Sequence, residues 1–188
     1  MSSEDGRLSV PQLQPSARIV PVEARHGAGS VAALTAAAAA RLLADVARET
    51  SGWNDSAGVV AQASALAERC EVLAVEDAEA FTAALEALTD NLPDLLERMT
   101  RATAVPVEIA VVAADVAEAA VVVAERCDGL LRADAAGAAA LAAGAAAAAA
   151  HLVRANLTVT PDDPRLKRAL IAVDDARYSA SKALDSGT

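Results

Sequence analysis

The chain has 188 residues, of which 54% are hydrophobic types and only 2% are aromatic, and its formal net charge is −10 at pH 7. This length is enough for one domain with a substantial core. The negative charge argues against a nucleic-acid partner, because a phosphate-binding surface needs clustered lysine and arginine. Much of the hydrophobic content is alanine. The core is therefore expected to form by close packing over small side chains, with leucine and valine filling in.

Cysteine and histidine usage points to neither a disulfide framework nor a metal centre. Cys70 and Cys127 are far apart, with no CxxC pair and no Cys/His cluster, so free buried thiols in a reducing cytoplasm are expected. The two histidines lack ligand spacing, and no metal or bound cofactor is predicted. The opening stretch, MSSEDGRLSV, is polar and unlike a signal peptide, which favours a cytoplasmic location.

The uncharged run 135–150 is the segment that most resembles a membrane span in composition. Alanine and glycine are only weakly apolar, and the run is about 16 residues long where a spanning helix needs ~20. Asp134 and His151 bracket it closely. We therefore expect a buried helix of a soluble bundle and no membrane partner.

Residues 1–28 contain three prolines and no helical period. Because proline fixes φ and lacks an N–H, this pattern predicts an extended N-terminal arm, followed by one helical domain over 29–185. The first helix is predicted over about 30–49, with Ser30 as its N-cap. Its expected core face carries Val31, Leu34, Ala38, Leu42 and Val46.

The second predicted helix, over about 56–89, has the most regular pattern in the chain. Its small and apolar positions recur in alternating steps of four and three residues, which is typical of antiparallel or coiled-coil-like packing. These positions are Val59, Ala63, Leu66, Cys70, Leu73, Asp77, Ala80, Ala84 and Ala87. Asp77 is the one carboxylate in this row.

The third element is predicted from 91 to about 127, with Pro93 in its first turn and a break or kink near Pro106. Two further helices are predicted over about 133–158 and 163–184, joined by a turn at 160–164. No alternation of strand type appears. The expected fold class is therefore all-α, an up-and-down bundle of five to six long, alanine-rich helices.

The first candidate site is the glycine turn, the stretch RHGAGSVAAL at 25–34. Free amides and the dipole at a helix N-terminus favour anions, and glycine lets a ligand approach the backbone closely. Gly27, Gly29 and Ser30 are therefore candidate binding residues. The alternative is an ordinary helix start after an arm, because short Gly-x-Gly matches are common.

Asp77 is the second candidate. A carboxylate in an apolar row is costly unless it is paired, hydrogen-bonded or protonated, and such a group is a candidate acid or base. The alternative is that the row opens to solvent there, since Glu76 and Glu79 flank it.

Asp134, Arg154 and Asn156 belong to the helix predicted over 133–158. Asp134 stands in its first turn, where a capping or dipole-favoured aspartate is the alternative to a catalytic one. Arg154 and Asn156 end the helix, at the end of the bundle expected to hold the glycine turn. Asp134 is about 33 Å away along the helix axis, so one protomer does not easily join all of them in one pocket, whereas an antiparallel dimer could.

Four short signatures follow one another over about residues 26–175. They are HGAGSVAAL at 26–34, EDAEAF at 76–81, ATAVPVE at 102–108, and the pair formed by Asp134 and the Asn-Leu at 156–157. In this order they resemble the signatures of the formimidoyltetrahydrofolate cyclodeaminase / methenyltetrahydrofolate cyclohydrolase family.

The resemblance implies an all-α homodimer whose substrate is a tetrahydrofolate derivative. One family reaction releases ammonia as a bridge nitrogen closes onto a formimino carbon. The other adds water to a cationic methenyl carbon and opens the ring to 10-formyltetrahydrofolate. Both need proton transfer and a carboxylate near a positive centre. The implied catalytic residues are Asp77 and Asp134, and the implied substrate-binding residues are Gly27, Gly29, Ser30, Arg154 and Asn156.

Because no transferase domain is fused to this chain, cyclohydrolase is favoured over cyclodeaminase. Three departures from the family pattern favour an alternative, a non-catalytic dimeric homologue that acts as a binding or scaffold protein. Ala28 replaces the middle glycine of the turn, Ala133 replaces a serine before Asp134, and Leu152 replaces the first asparagine near the helix end. A generic helical bundle without a folate link is the remaining alternative.

Overall fold

The computed structural model describes residues 27–127, 129–157 and 162–186, and these residues form helices and no strand. The helices are α1 (Ala28–Glu49), α2 (Ser56–Thr89), α3 (Leu95–Arg126), α4 (Gly129–Asn156) and α5 (Pro164–Asp185). The all-α prediction is confirmed. Of the predicted arm, residues 1–26 lie outside the described residues, and Ala28 already belongs to α1. The predicted turn at 160–164 is also partly outside them.

Side-chain hydrogen bonds between helices show that neighbours along the chain run antiparallel. The Arg132 guanidinium, near the start of α4, donates to the carbonyls of Ala124 and Cys127 at the end of α3. The Asn156 amide, at the end of α4, donates to the carbonyl of Ala102 near the start of α3. Arg98 of α3 likewise reaches back to the end of α2. This is the predicted up-and-down order.

α3 is one continuous helix through Pro106, so of the predicted break or kink the break is wrong. Proline has no N–H, and the carbonyl four residues earlier, that of Ala102, therefore loses its helical donor. The Asn156 Nδ2 amide donates to this carbonyl at 3.0 Å. A side chain from α4 thus replaces the missing backbone hydrogen bond, and the chain has five described helices.

α4 begins at Gly129, earlier than the predicted start at 133. Gly129 has a φ of +54°, a left-handed conformation that glycine adopts without strain and that turns the chain from α3 into α4. As a result Asp134 is in the second turn of α4, and no acidic residue occupies the first turn.

The core face predicted for α1 is largely wrong. Val31 and Leu34 are 52% and 41% exposed, and of the predicted set only Val46 is buried. The buried face consists mainly of alanine, together with Leu43 and Val46. Alanine lets helix axes approach closely. The core face of α1 is therefore formed by densely packed alanine, and not by the larger side chains that periodicity assigned to it.

The row predicted on α2 is confirmed. Its members are buried from Ala63 to Ala87 except Leu66, and Leu66 and Val59 are partly buried against the core. By length and hydropathy alone, two described helices, α1 and α4, are long and apolar enough to cross a membrane. In the bundle, 61% and 50% of their most apolar windows are buried against other helices.

Candidate functional site

Asp77 of α2 lies at the N-terminus of α1. The residue is 7% exposed, and its carboxylate accepts a hydrogen bond at 3.1 Å from the hydroxyl of Ser30, a fully buried residue. The first N–H groups of a helix have no acceptor within the helix. The α1 N-cap residue is Gly27, which makes no side-chain cap, and no acidic residue occupies the first turn. Asp77 therefore supplies, from another helix, the negative charge that this helix end favours.

Gly29 is the residue that makes room for this carboxylate. A Cβ at Gly29 would lie 2.2 Å from Asp77 Oδ1 and 2.5 Å from Oδ2 and Cγ, closer than non-bonded atoms approach. At Gly27 a Cβ would meet nothing within 4 Å. The structure thus brings together the glycine turn and Asp77, and the anion at the turn is a side chain of the same protein.

The environment of Asp77 shifts its protonation equilibrium toward the neutral form, relative to an exposed aspartate. Burial raises the pKa of this carboxyl above its usual range. Hydrogen bonds from the Ser30 hydroxyl and backbone N–H lower the pKa and only partly offset the effect of burial. A buried carboxyl with a raised pKa beside oriented donors can hold a proton and exchange it. The alternative that the α2 row opens to solvent at Asp77 is wrong.

Asn156 lies half-buried at the end of α4, where its amide donates to the Ala102 carbonyl. Two of the four signatures therefore meet in the fold, because Pro106 frees the carbonyl that Asn156 satisfies. The visible contact of Asn156 is structural, although the residue was predicted to bind substrate.

Arg154 lines a groove of about 390 Å³ between α4 and α5. The groove also carries His151, Arg177 and Asp174. Within the described part of the chain neither arginine forms an ion pair. The sequence predicted Arg154 as a binding residue but not Arg177, because Arg177 is on a different helix and shares no motif with Arg154. Its charges suit a carboxylate-bearing ligand.

Asp134 is exposed in the second turn of α4, beside the end of α3. It is separated from Asn156 by about 33 Å of helix. Asp77, in contrast, sits at the start of α1. One copy of the chain therefore does not bring the two predicted catalytic aspartates together.

Three acidic side chains of α3, Asp115, Glu118 and Glu125, line a groove of about 470 Å³ between α3 and α5 that is not among the predicted sites. Burial, together with the negative charge of Glu118, raises the pKa of Asp115 there. Across the described residues, no group of three His, Cys, Asp or Glu side chains is arranged to hold a metal ion. The spacing of Asp115 and Glu118 was the available signal for this groove.

The sequence profile of a family described as formiminotransferase-cyclodeaminase matches residues 21–174. Among solved structures, the chain is similar to the crystal structure of formiminotetrahydrofolate cyclodeaminase from Thermotoga maritima. The TM-score is 0.72 and the sequence identity 22%, over 86% of this chain and 85% of that chain. At this level of sequence identity, the similarity shows a shared fold. Comparison with curated protein sequences gives no match.

Proposed function

Because the chain belongs to the formiminotransferase-cyclodeaminase family, we propose that it is an enzyme acting on a one-carbon derivative of tetrahydrofolate. The observation that carries the proposal is the Asp77 carboxyl. It is buried, it is held by Ser30 at the start of α1, and its pKa is raised above the usual range. The proposed reaction is proton-coupled opening or closing of the folate's five-membered cationic ring, in a cytoplasmic setting.

Both directions of ring chemistry need a group that takes and returns a proton. In the hydrolytic reaction, water adds to the methenyl carbon and loses a proton to give a neutral carbinol. The carbinol hydroxyl then loses its proton as the bond from that carbon to N5 breaks, N5 takes up a proton, and one proton is released overall. In the deaminating reaction, N10 attacks the carbon of the protonated formimino group and loses its proton, and the leaving nitrogen takes up a proton. The bond from that carbon to the leaving nitrogen then breaks, which releases ammonia and leaves the methenyl cation. Asp77 is the proposed proton carrier in either case, since burial raises the pKa of this carboxyl and makes it a better proton acceptor than an exposed aspartate.

The remaining predicted residues take supporting roles in this proposal. Gly29 and Ser30 hold Asp77 in place, and Gly27 leaves open space next to it. Arg154, with Arg177 across the groove, is positioned to bind the carboxylates of the folate's glutamate moiety. Asn156 keeps the end of α4 against α3 and so fixes Arg154.

Asp134 enters the proposal only through a homodimer. It lies about 33 Å along α4 from the end that carries Asn156, so a second, antiparallel copy would have to present it to the site. Gel filtration with light scattering tests this part separately from the chemistry. A monomer at micromolar concentration removes Asp134 from the mechanism and leaves the role of Asp77 standing.

The direct test follows the ultraviolet absorbance of methenyltetrahydrofolate in the presence of purified protein. Accelerated loss of absorbance supports hydrolysis, and its appearance from 5-formimidoyltetrahydrofolate with release of ammonia supports deamination. If neither rate exceeds that of buffer and calorimetry detects no folate binding, the enzyme proposal is refuted.

One observation favours the alternative of a non-catalytic binding or scaffold homologue. The α1 amides that were expected to face a ligand are faced by Asp77 itself. Folate binding without turnover, unaffected by Asp77→Asn, is the result that would support this alternative over catalysis.

A further inference from the structure

The face of α2 that is buried along most of the helix is exposed near its end. Residues eighteen positions apart lie on the same helix face, because eighteen residues make about five turns. Early members of this face are 0%, 2% and 0% exposed: Ala63, Ala67 and Cys70. The members eighteen positions later are 57%, 52% and 62% exposed: Phe81, Leu85 and Leu88. We refer to these last three residues as the α2 apolar row.

The row is exposed because α1 begins too late to cover it. Gly29, in the first turn of α1, already lies against Asp77, and Phe81 is one helical turn beyond Asp77. On the side facing α3 the same part of α2 is closed, since the Arg98 guanidinium donates to the Ala83 carbonyl at 3.3 Å. The small residues on this side are buried: Ala80, Ala84 and Ala87. Three large apolar side chains are thus left side by side where the chain enters α1.

We propose that residues 19–22 of the same chain, Ile-Val-Pro-Val, dock on the α2 apolar row. These residues lie among the 26 that precede the described part. The chain reaches the described part at Gly27, two residues before Gly29, which lies against Asp77 one helical turn from Phe81. Five extended residues span up to about 17 Å, whereas Phe81 to Leu88 covers only about 10 Å of helix. The segment therefore reaches the whole row without strain.

The covalent connection favours this occupant over a second copy of the chain. A tethered segment meets the row at an effective concentration in the millimolar range, whereas a second molecule loses its translational and rotational freedom on binding. Ile19, Val20 and Val22 supply branched aliphatic side chains to pack against Phe81 and the leucines. Docking removes apolar surface from water on both sides.

Nuclear Overhauser effects from the Phe81 ring test the contact in the full-length protein. Phe81 is the only phenylalanine, and Ile19 is one of three isoleucines, so the signals are readily assigned. The proposal expects contacts between the Phe81 ring and the methyl groups of residues 19–22 within one molecule. A mixture of labelled and unlabelled protein separates contacts within a molecule from contacts between molecules. Contacts seen only between molecules, or none to residues 19–22, would overturn the proposal.

Trypsin cleavage after Arg18 and Arg25, which flank the segment, gives a second readout. Leu85→Ser weakens the docking surface and should speed cleavage at these sites by about tenfold, because docked segments resist proteolysis. Val75→Ser is the matched control, since Val75 is 59% exposed on another face of α2. Circular dichroism first establishes that both variants are folded. Equal cleavage rates in wild type and both variants would contradict docking.

Discussion

Gly29→Ala is the substitution whose effect follows most directly from the packing of α1 on α2. In an ordinary helix position alanine is better than glycine by about 1 kcal/mol. Here the new Cβ would stand 2.2 Å from Asp77 Oδ1, and the carboxylate would have to leave Ser30. A hydrogen bond to a charged group contributes about 1.5–3 kcal/mol, and a buried partner left unsatisfied adds a further penalty of about 1–3 kcal/mol. Offset by the helix-propensity gain, the expected net loss is about 1.5–5 kcal/mol of unfolding free energy.

Urea unfolding followed by circular dichroism measures this loss, and the chain supplies two matched controls. Gly27→Ala meets nothing within 4 Å and should change stability by no more than about 0.5 kcal/mol. Gly144→Ala, in the middle of α4 with open space around the new Cβ, should stabilise the protein by about 1 kcal/mol. If Gly29→Ala behaves like Gly144→Ala, the close approach between Gly29 and Asp77 does not exist in solution and the geometry of the site is wrong.

Three further predictions concern proton binding, the α3–α4 junction and the thiols. Burial raises the folded-state pKa of Asp77 above 3.8, so the stabilisation from protonated Asp77 is full below pH 3.8 and is lost as pH rises through the folded-state pKa. Urea unfolding from pH 4 to 7 should therefore show wild type losing stability relative to Asp77→Asn. Parallel curves for the two proteins would contradict the raised pKa. Asn156→Ala should lower the unfolding free energy by about 1–3 kcal/mol, but by much less in a Pro106→Ala background, where residue 106 regains the N–H that bonds the Ala102 carbonyl. Strictly additive effects in the double-mutant cycle would refute the idea that Asn156 replaces the hydrogen bond missing at Pro106. Burial raises the pKa of Cys70 to about 11, so its thiol should react with an aromatic disulfide reagent at pH 8 only after denaturation, and rapid labelling of the native protein would count against its burial.

The sequence predicted the helical class, the extent of α2 and the family, because each rests on a pattern repeated over many residues. The buried row predicted on α2 was confirmed because one spacing of small and apolar residues persists from Ala63 to Ala87. The core face of α1 could not be predicted in the same way. In a helix dominated by alanine, both faces look apolar, and the closest packing selects alanine and leaves Val31 and Leu34 in solvent.

Other features depend on contacts between residues far apart in the chain. The sequence indicated that Gly29 and Asp77 were each unusual, but not that one makes room for the other, since they are separated by most of two helices. Local rules predicted a break or kink at Pro106; the helix is not broken there, and the carbonyl that Pro106 leaves without a donor is satisfied by Asn156, a side chain on another helix. Sequence motifs thus identified these residues individually, whereas their contacts with each other are visible only in the folded structure.

The central claim is that Asp77 carries the proton in the chemistry of a folate ring. The most direct measurement compares initial rates of methenyltetrahydrofolate turnover for wild type, Asp77→Asn and Glu79→Gln. Glu79 is an exposed carboxylate two positions away on α2 and serves as the matched control. We predict that Asp77→Asn lowers kcat by about 100-fold or more, with its folded structure retained, and that Glu79→Gln keeps the wild-type rate. Wild-type turnover by a folded Asp77→Asn variant would contradict the claim.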